Sequence, residues 1–156
     1  MSKNKTEILV NQKIRQVGAL CFQIIPKESP KVLLITSRRS QRWIIPKGWP
    51  IKGLKSYKVA EQEAFEEAGV LGTPFDICLG KYSYIKKLDQ GIKKCIVYVY
   101  PLKVDSLKPD YDEAHERSRE WFNITKAKEL LPEPGLKDIL MNFKPNLLLN
   151  TKYLRQ

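Results

Sequence analysis

The sequence offers one histidine, three cysteines and only 17 acidic residues in a chain of 156. It also contains no apolar run long enough to cross a bilayer. Each shortage removes a class of function. His115, the lone histidine, lies in a polar stretch and reads as a loop residue rather than a general base. Cys21, Cys78 and Cys95 are odd in number and match no zinc spacing. They read as reduced packing residues, not ligands or disulfide partners. The opening MSKNKTE lacks the apolar core of a secretory signal. The expected location is therefore the cytoplasm, and no membrane partner is expected. There is no internal repeat, no low-complexity segment and no visible RNA-recognition motif.

Basic residues are plentiful. Lysine and arginine number 28, giving a formal charge of +11. Such a field attracts polyanions, whether nucleic acid, anionic membrane or phosphorylated small molecules. Hydrophobic residues make up 42% of the chain, enough for an ordinary globular core in one domain. The expected organisation is a flexible arm over 1–12, a domain over 13–145 and a tail over 146–156. Nothing in the pattern signals an oligomeric state.

Residues 16–25 read as a buried strand, 32–35 as a second that pairs with it, and 42–45 as a short third ending at Pro46. The Gly- and Pro-rich stretch 46–56 reads as a loop. Ser56 is placed to cap a helix that stops at Gly69. Residues 75–85 and 92–104 read as strands, and 105–119 as a polar loop with several acids. A short strand follows at 119–123, then a helix capped by Thr125, then a last helix opened by Gly135. Strands with a helix inserted among them predict an α/β fold, a mixed sheet between helices.

The helix before Gly69 carries Glu61, Glu63, Glu66 and Glu67. Residues three and four apart share a helix face, so Glu63, Glu66 and Glu67 point roughly the same way. Clustered carboxylates repel unless a cation lies among them, and oxygen ligands suit Mg²⁺ or Mn²⁺. On an isolated helix a solvated acidic face is the commoner outcome. Here the chain is otherwise basic, and a glycine-rich loop brings Lys47, Gly48 and their backbone amides to the acids. Val59, Ala60, Ala64 and Ala68 lie mainly on other faces, small enough for close packing on a sheet.

Residues 48–70 resemble the Nudix box, G-x5-E-x7-R-E-U-x-E-E-x-G-U, where U is aliphatic. Gly48 takes the first glycine, Glu63, Glu66 and Glu67 the clustered acids, and Gly69 and Val70 the close. Leu54 stands where the family has its first glutamate, and Gln62 where it has arginine. Glutamine hydrogen-bonds but does not neutralise, so compensation by Lys52, Lys55 or Lys58 is one expectation. Within the superfamily the segments GALCF, VLLITSRRSQRWIIPKG, EEAGVLG and SREWFNITKAKELL are most similar to the diphosphoinositol polyphosphate phosphohydrolase branch, which also cleaves dinucleoside polyphosphates.

The resemblance implies a Nudix-type α/β/α sandwich and a Mg²⁺ or Mn²⁺ cofactor held by Glu63, Glu66 and Glu67. It implies a small phosphorylated substrate, with Ser37, Arg38 and Arg119 facing its phosphates, and Lys47 and Gly48 are expected to bind that substrate with them. Glu66 and Glu67 are the local candidates for the catalytic base. Glu113 and Glu116 are the distant ones. Arginine binds phosphate bidentately, which favours Arg38 in the Arg38, Arg39 and Arg42 cluster. Trp43 reads as core and Trp49 as a loop residue over the site. Lys86, Lys87, Lys93 and Lys94 flank a hairpin turn and read as a solvated cluster or a phosphate funnel. Two other readings stay open. One is a Nudix-fold module that binds nucleotide or RNA with little or no catalysis, motivated by Leu54 and Gln62. The other is hydrolysis of a nucleoside diphosphate sugar or an RNA 5′ end. Nucleic acid ranks below small polyphosphates as a partner.

Overall fold

A computed structural model describes residues 13–89 and 91–149. The arm expected over 1–12 lies outside the described residues, as does the tail from 150 onward.

Eight strands form one sheet: β1 (Lys13–Gln23), β2 (Lys31–Thr36), β3 (Trp43–Ile44), β4 (Lys47–Gly48), β5 (Val70–Pro74), β6 (Gly80–Leu88), β7 (Gly91–Leu107) and β8 (Arg119–Asn123). Helix α1 (Ser56–Ala68) is inserted between β4 and β5. Helices α2 (Ile124–Leu130), α3 (Pro134–Met141) and α4 (Pro145–Leu149) follow β8. The order across the sheet is β3-β2-β1-β7-β5, with β4 on β1, β6 on β7 and β8 on β2. β1 and β7 run parallel from Lys13↔Lys94 to Phe22↔Lys103, whereas the other pairings are antiparallel. The mixed sheet is as expected.

β1 is buried on both faces, which explains its unbroken apolar run. Val17, Ala19 and Cys21 point to one side and pack with Val59, Ala60, Ala64 and Ala68 of α1. Leu20 and Phe22 point to the other, against Leu131, Leu136, Leu140 and Phe143. The alanines are fully buried, so α1 lies close on the sheet. Phe22 meets Phe143 edge-on at 5.1 Å, tying the chain after α3 to the central strand. Trp43 packs edge-on against Phe122 at 5.0 Å, consistent with its core reading.

Several local expectations change. Residues 75–85 are not one strand. Phe75 and Leu79 bond back to Pro101 and Val99 of β7 by isolated hydrogen bonds of 3.0 and 2.8 Å, and regular pairing resumes at Gly80. Cys78, expected to be packed, is exposed in this connection, while Cys21 and Cys95 are buried. Ser56 is the first helical residue of α1, and Lys55 takes the cap position without a side-chain bond. Asn123, not Thr125, caps α2, its Oδ1 accepting from the Lys126 amide at 2.7 Å. Pro134 rather than Gly135 opens α3, using a residue that has no N–H to leave unpaired. The start of the expected tail is helical, with Leu148 buried.

β5 closes one edge of the sheet, with a register shift at Leu71/Gly72. A Cβ on Gly72 would run into the Lys103 carbonyl oxygen, which is backbone and has no rotamer to escape by. Gly72→Ala should destabilise the fold by about 1–3 kcal/mol, the usual scale of overpacking. Urea denaturation checks this, and an unchanged midpoint would remove the close approach as a constraint.

Candidate active site

α1 ends cleanly. Gly69 adopts φ 67°, and its amide bonds back to the Ala64 and Phe65 carbonyls. That fixed end sets Glu67, two residues earlier, against β4. β4 is itself held on β1 by Val17↔Gly48 and Gly18↔Lys47. The Lys47 amide donates to Glu67 Oε2 at 3.1 Å. Gly48 is required for a different reason: a Cβ there would occupy the place of the Glu63 carboxylate. The loop glycine and the helix acid are thus fitted to each other.

A residue singled out by neither the box nor the phosphate-facing positions completes this centre. Arg117 is buried, its side chain 8% exposed. Its Nη2 lies 3.3 Å from Glu67 Oε1, its Nε donates to Glu113 Oε1 at 3.0 Å, and its Nη1 donates to the Thr36 carbonyl at 3.0 Å. Ser118 and Thr36 exchange two further bonds, of 2.8 and 3.0 Å, which fix the neighbouring backbone. The Glu113 amide donates to the Glu66 carbonyl at 3.2 Å, tying the acidic loop to α1. Lys52, Lys55 and Lys58 do not supply this charge. Lys58 pairs with Glu61 at 3.5 Å, and the other two lie exposed on the loop. The signal in the sequence was the four-residue spacing of Glu113 and Arg117, overlooked beside Arg119.

The expected acids are brought together in part. Glu63 and Glu67 side chains are in contact, with Glu113 within electrostatic reach of both. Glu66 turns outward, its Oε1 accepting from Gln62 Nε2 at 3.2 Å. Among the described residues no three acids stand close enough to enclose an ion. The donor chemistry nonetheless suits one: adjacent carboxylates, all oxygen, with room kept open by Gly48. Burial pushes the Glu67 carboxyl up to about 8, with Arg117 and the Lys47 ammonium offsetting only part of the shift. Glu63 is raised too, by burial first and then by Glu66 and Glu113. Burial lowers Lys47, opposed by the Glu67 and Glu133 carboxylates.

The phosphate-facing positions divide. Lys47 lies beside the acids, its Nζ 5.2 Å from the Tyr84 ring centroid. Arg38 is exposed and 3.8 Å from both Glu113 and Glu116. Such pairs hold a surface arginine weakly and leave it available. The Ser37 hydroxyl accepts from the Arg42 amide at 3.0 Å and bonds Ser40 at 2.7 Å, closing a turn. The Arg119 Nη1 donates to the Ala68 carbonyl at 2.7 Å and its guanidinium lies over Tyr111, so it caps the end of α1. Trp49 is 54% exposed, and Lys86 lies 6.0 Å from its ring. His115 stays in the polar loop.

One further acid was not anticipated. Glu133 Oε2 is buried and has no hydrogen-bond partner among the described residues. It lies within electrostatic reach of Lys47, Tyr82 and Tyr84.

Arg117→Met should lower the unfolding free energy by about 3 kcal/mol near pH 8, because it leaves a buried charge unpaired. The loss should shrink near pH 5, where Glu67 takes a proton. Equal losses at both pH values would remove the pair from the centre. The unmodified metal-free protein should also show a pH dependence. A carboxyl raised in the folded state holds its proton more tightly there, so its contribution is full at low pH and falls as pH rises from about 4.5 to about 8. Urea midpoints should decline across that window, and Glu67→Gln should flatten the decline.

A family model described as "NUDIX domain" matches residues 14–143. Human diphosphoinositol polyphosphate phosphohydrolase 3-beta is 32% identical over 119 residues, covering 75% of this chain and 68% of that protein. "Nudix hydrolase 12, mitochondrial" of Arabidopsis thaliana is 31% identical over 117 residues, covering 72% of this chain and 58% of that protein. A crystal structure of C. elegans Ap4A hydrolase superposes with a TM-score of 0.62 at 17% identity, covering 87% of this chain and 99% of that one. The MutT protein from Methanosarcina mazei Go1 gives 0.60 at 22% identity, covering 89% and 96%. These two likenesses show a shared fold.

Proposed function

This chain belongs to the NUDIX domain family and is a pyrophosphohydrolase, and we propose that Glu63, Glu66 and Glu67 hold Mg²⁺ or Mn²⁺ while it cleaves a diphosphate linkage in a small polyanion. The observation that carries this reading is the contact between the Glu63 and Glu67 carboxyl groups beneath Gly48, a concentration of oxygen donors in an otherwise basic protein. Turning Glu66 inward from Gln62 is a side-chain rotation, and Glu113 is a second oxygen donor within reach. A divalent cation bound there supplies charge neutralisation at the phosphate oxygens and acidifies water.

The chain's own groups do the rest. Lys47 and Arg38 bind and orient the phosphates. Glu67 accepts the proton as water attacks phosphorus and the phosphorus–oxygen bond of the diphosphate breaks, the remainder leaving as a phosphate. A carboxyl with a proton affinity close to neutral is suited to that exchange. Arg117 fixes the orientation of Glu67 and ties it to Glu113, which with Glu116 is the alternative base from the loop. Trp49 restricts the entry of bulk water.

The relatives support two substrate classes, diphosphoinositol polyphosphates and dinucleoside polyphosphates.

Turnover should be measured on a diphosphoinositol polyphosphate, a diadenosine polyphosphate, a nucleoside diphosphate sugar and capped RNA, with Mg²⁺ and with Mn²⁺. Glu66→Gln and Glu67→Gln should each lower kcat by roughly 100-fold or more, the scale of a lost base or metal ligand. Full turnover in both variants at saturating Mn²⁺ sinks the assignment. Ligand binding without turnover of any of the four would favour a binding module, consistent with Leu54 and Gln62.

A further inference from the structure

The end of the sheet built from β6, β7 and β1 has two unlike faces. Strand alternation puts Tyr84, Lys86, Lys93 and Gln16 on the side of the active-site loop, where Tyr84 bonds Gln16 at 2.6 Å and Lys86 reaches Trp49. The basic hairpin cluster is therefore divided, with Lys87 and Lys94 on the reverse face. There they join Lys13, Arg15 and Lys81. Helix α1 covers the same face only farther along, over Val17, Ala19 and Leu102. Lys13, Arg15, Lys81 and Lys87 are exposed, and Ile85 beside them is 49% exposed.

The register brings these charges close. Lys13 lies beside Lys94, and Lys94 lies opposite Ile85. Lys81 lies opposite Tyr98, whose ring carries the Arg15 guanidinium at 4.3 Å. Adjacent strands are about 5 Å apart and alternate residues about 7 Å apart, within the screening distance of roughly 10 Å at moderate salt. Like charges so arranged repel, and the bare face is raised in energy. Among the described residues of segments 13–15, 81–87 and 92–98, no acid relieves them. Asp76 lies beyond, near Tyr100, and Asp89 is in the turn between β6 and β7.

A sheet surface cannot enclose a small ligand as a pocket does. It can run alongside an extended polymer. Cations interleaved with a tyrosine and isoleucines meet both parts of such a polymer, phosphates on the charges and bases on the apolar groups. We propose that this reverse face binds single-stranded nucleic acid, at a site separate from the diphosphate-cleaving centre.

The test is fluorescence anisotropy with a labelled single-stranded RNA of roughly 20 nucleotides, spanning several salt concentrations. The triple variant Arg15→Gln/Lys81→Gln/Lys94→Gln should bind at least tenfold more weakly at low salt. Its slope of log affinity against log salt should be shallower by about 2, from three phosphate contacts at about 0.7 each. Its thermal melt and its hydrolysis of small substrates should be unchanged. If the triple variant melts early, Arg15→Gln alone should show a slope change of about 0.7. Tyr98→Leu should weaken RNA binding without altering the slope. Wild-type affinity in the folded variants overturns the proposal. So does a loss confined to Lys86→Gln/Lys93→Gln, which would place the polymer on the opposite face. Binding to phosphatidylserine vesicles with no binding to RNA also overturns it.

Discussion

The buried carboxylate of Glu67 joins three stretches of chain that are distant in sequence. It accepts from the Lys47 amide of β4, faces Arg117 from the loop before β8, and rides on α1 itself. Burial alone drives such a group toward neutrality, and the amide bond and nearby positive charge resist that. The Gly48 fit, the αL cap at Gly69 and the Thr36–Ser118 bonds can all be understood as fixing the geometry around this one group. A shift in any of the three stretches would leave either the acid or Arg117 without its counter-charge in a dry setting.

Legibility in the sequence followed the range of the interactions. The strands β1, β2 and β7 and the helix α1 were visible because apolar periodicity and Gly69 are local signals. The clustered glutamates were visible because helical spacing is local too. Arg117 was not, since its partners Glu67 and Thr36 are remote in sequence and meet it only through the sheet. The bond from Arg119 to the Ala68 carbonyl was hidden for the same reason: the two become neighbours only after β8 pairs with β2. The helix caps failed differently. Ser56 and Thr125 have the chemistry of caps, but Lys55 and Asn123 hold the required backbone position, and a shift of one or two residues is invisible to composition. Glu133 was hidden because its significance is a partner it lacks.

The surplus of positive charge is not spread evenly over the molecule. Pleating assigns alternate lysines of one hairpin to opposite sides of the sheet, so a cluster that looks continuous along the chain serves two surfaces. One side carries Lys47, Lys86 and Lys93 with Tyr84, and Lys86 lies near Trp49. The other side has no acids among its described strand positions. A single number for net charge conceals this division.

The parallel pairing of β1 with β7 also bears on how the chain acquires its shape. Position 13 finds its partner at position 94, so the central strand has no neighbour on that side until well over half of the polypeptide exists. Contacts of such sequence separation are slow to form because a long loop must close first. During synthesis β1 can be sheltered only by its hairpin with β2 and by β4. The nascent chain therefore passes through a stage in which its central strand presents an open hydrogen-bonding edge, the stage at which a chaperone would be of greatest use.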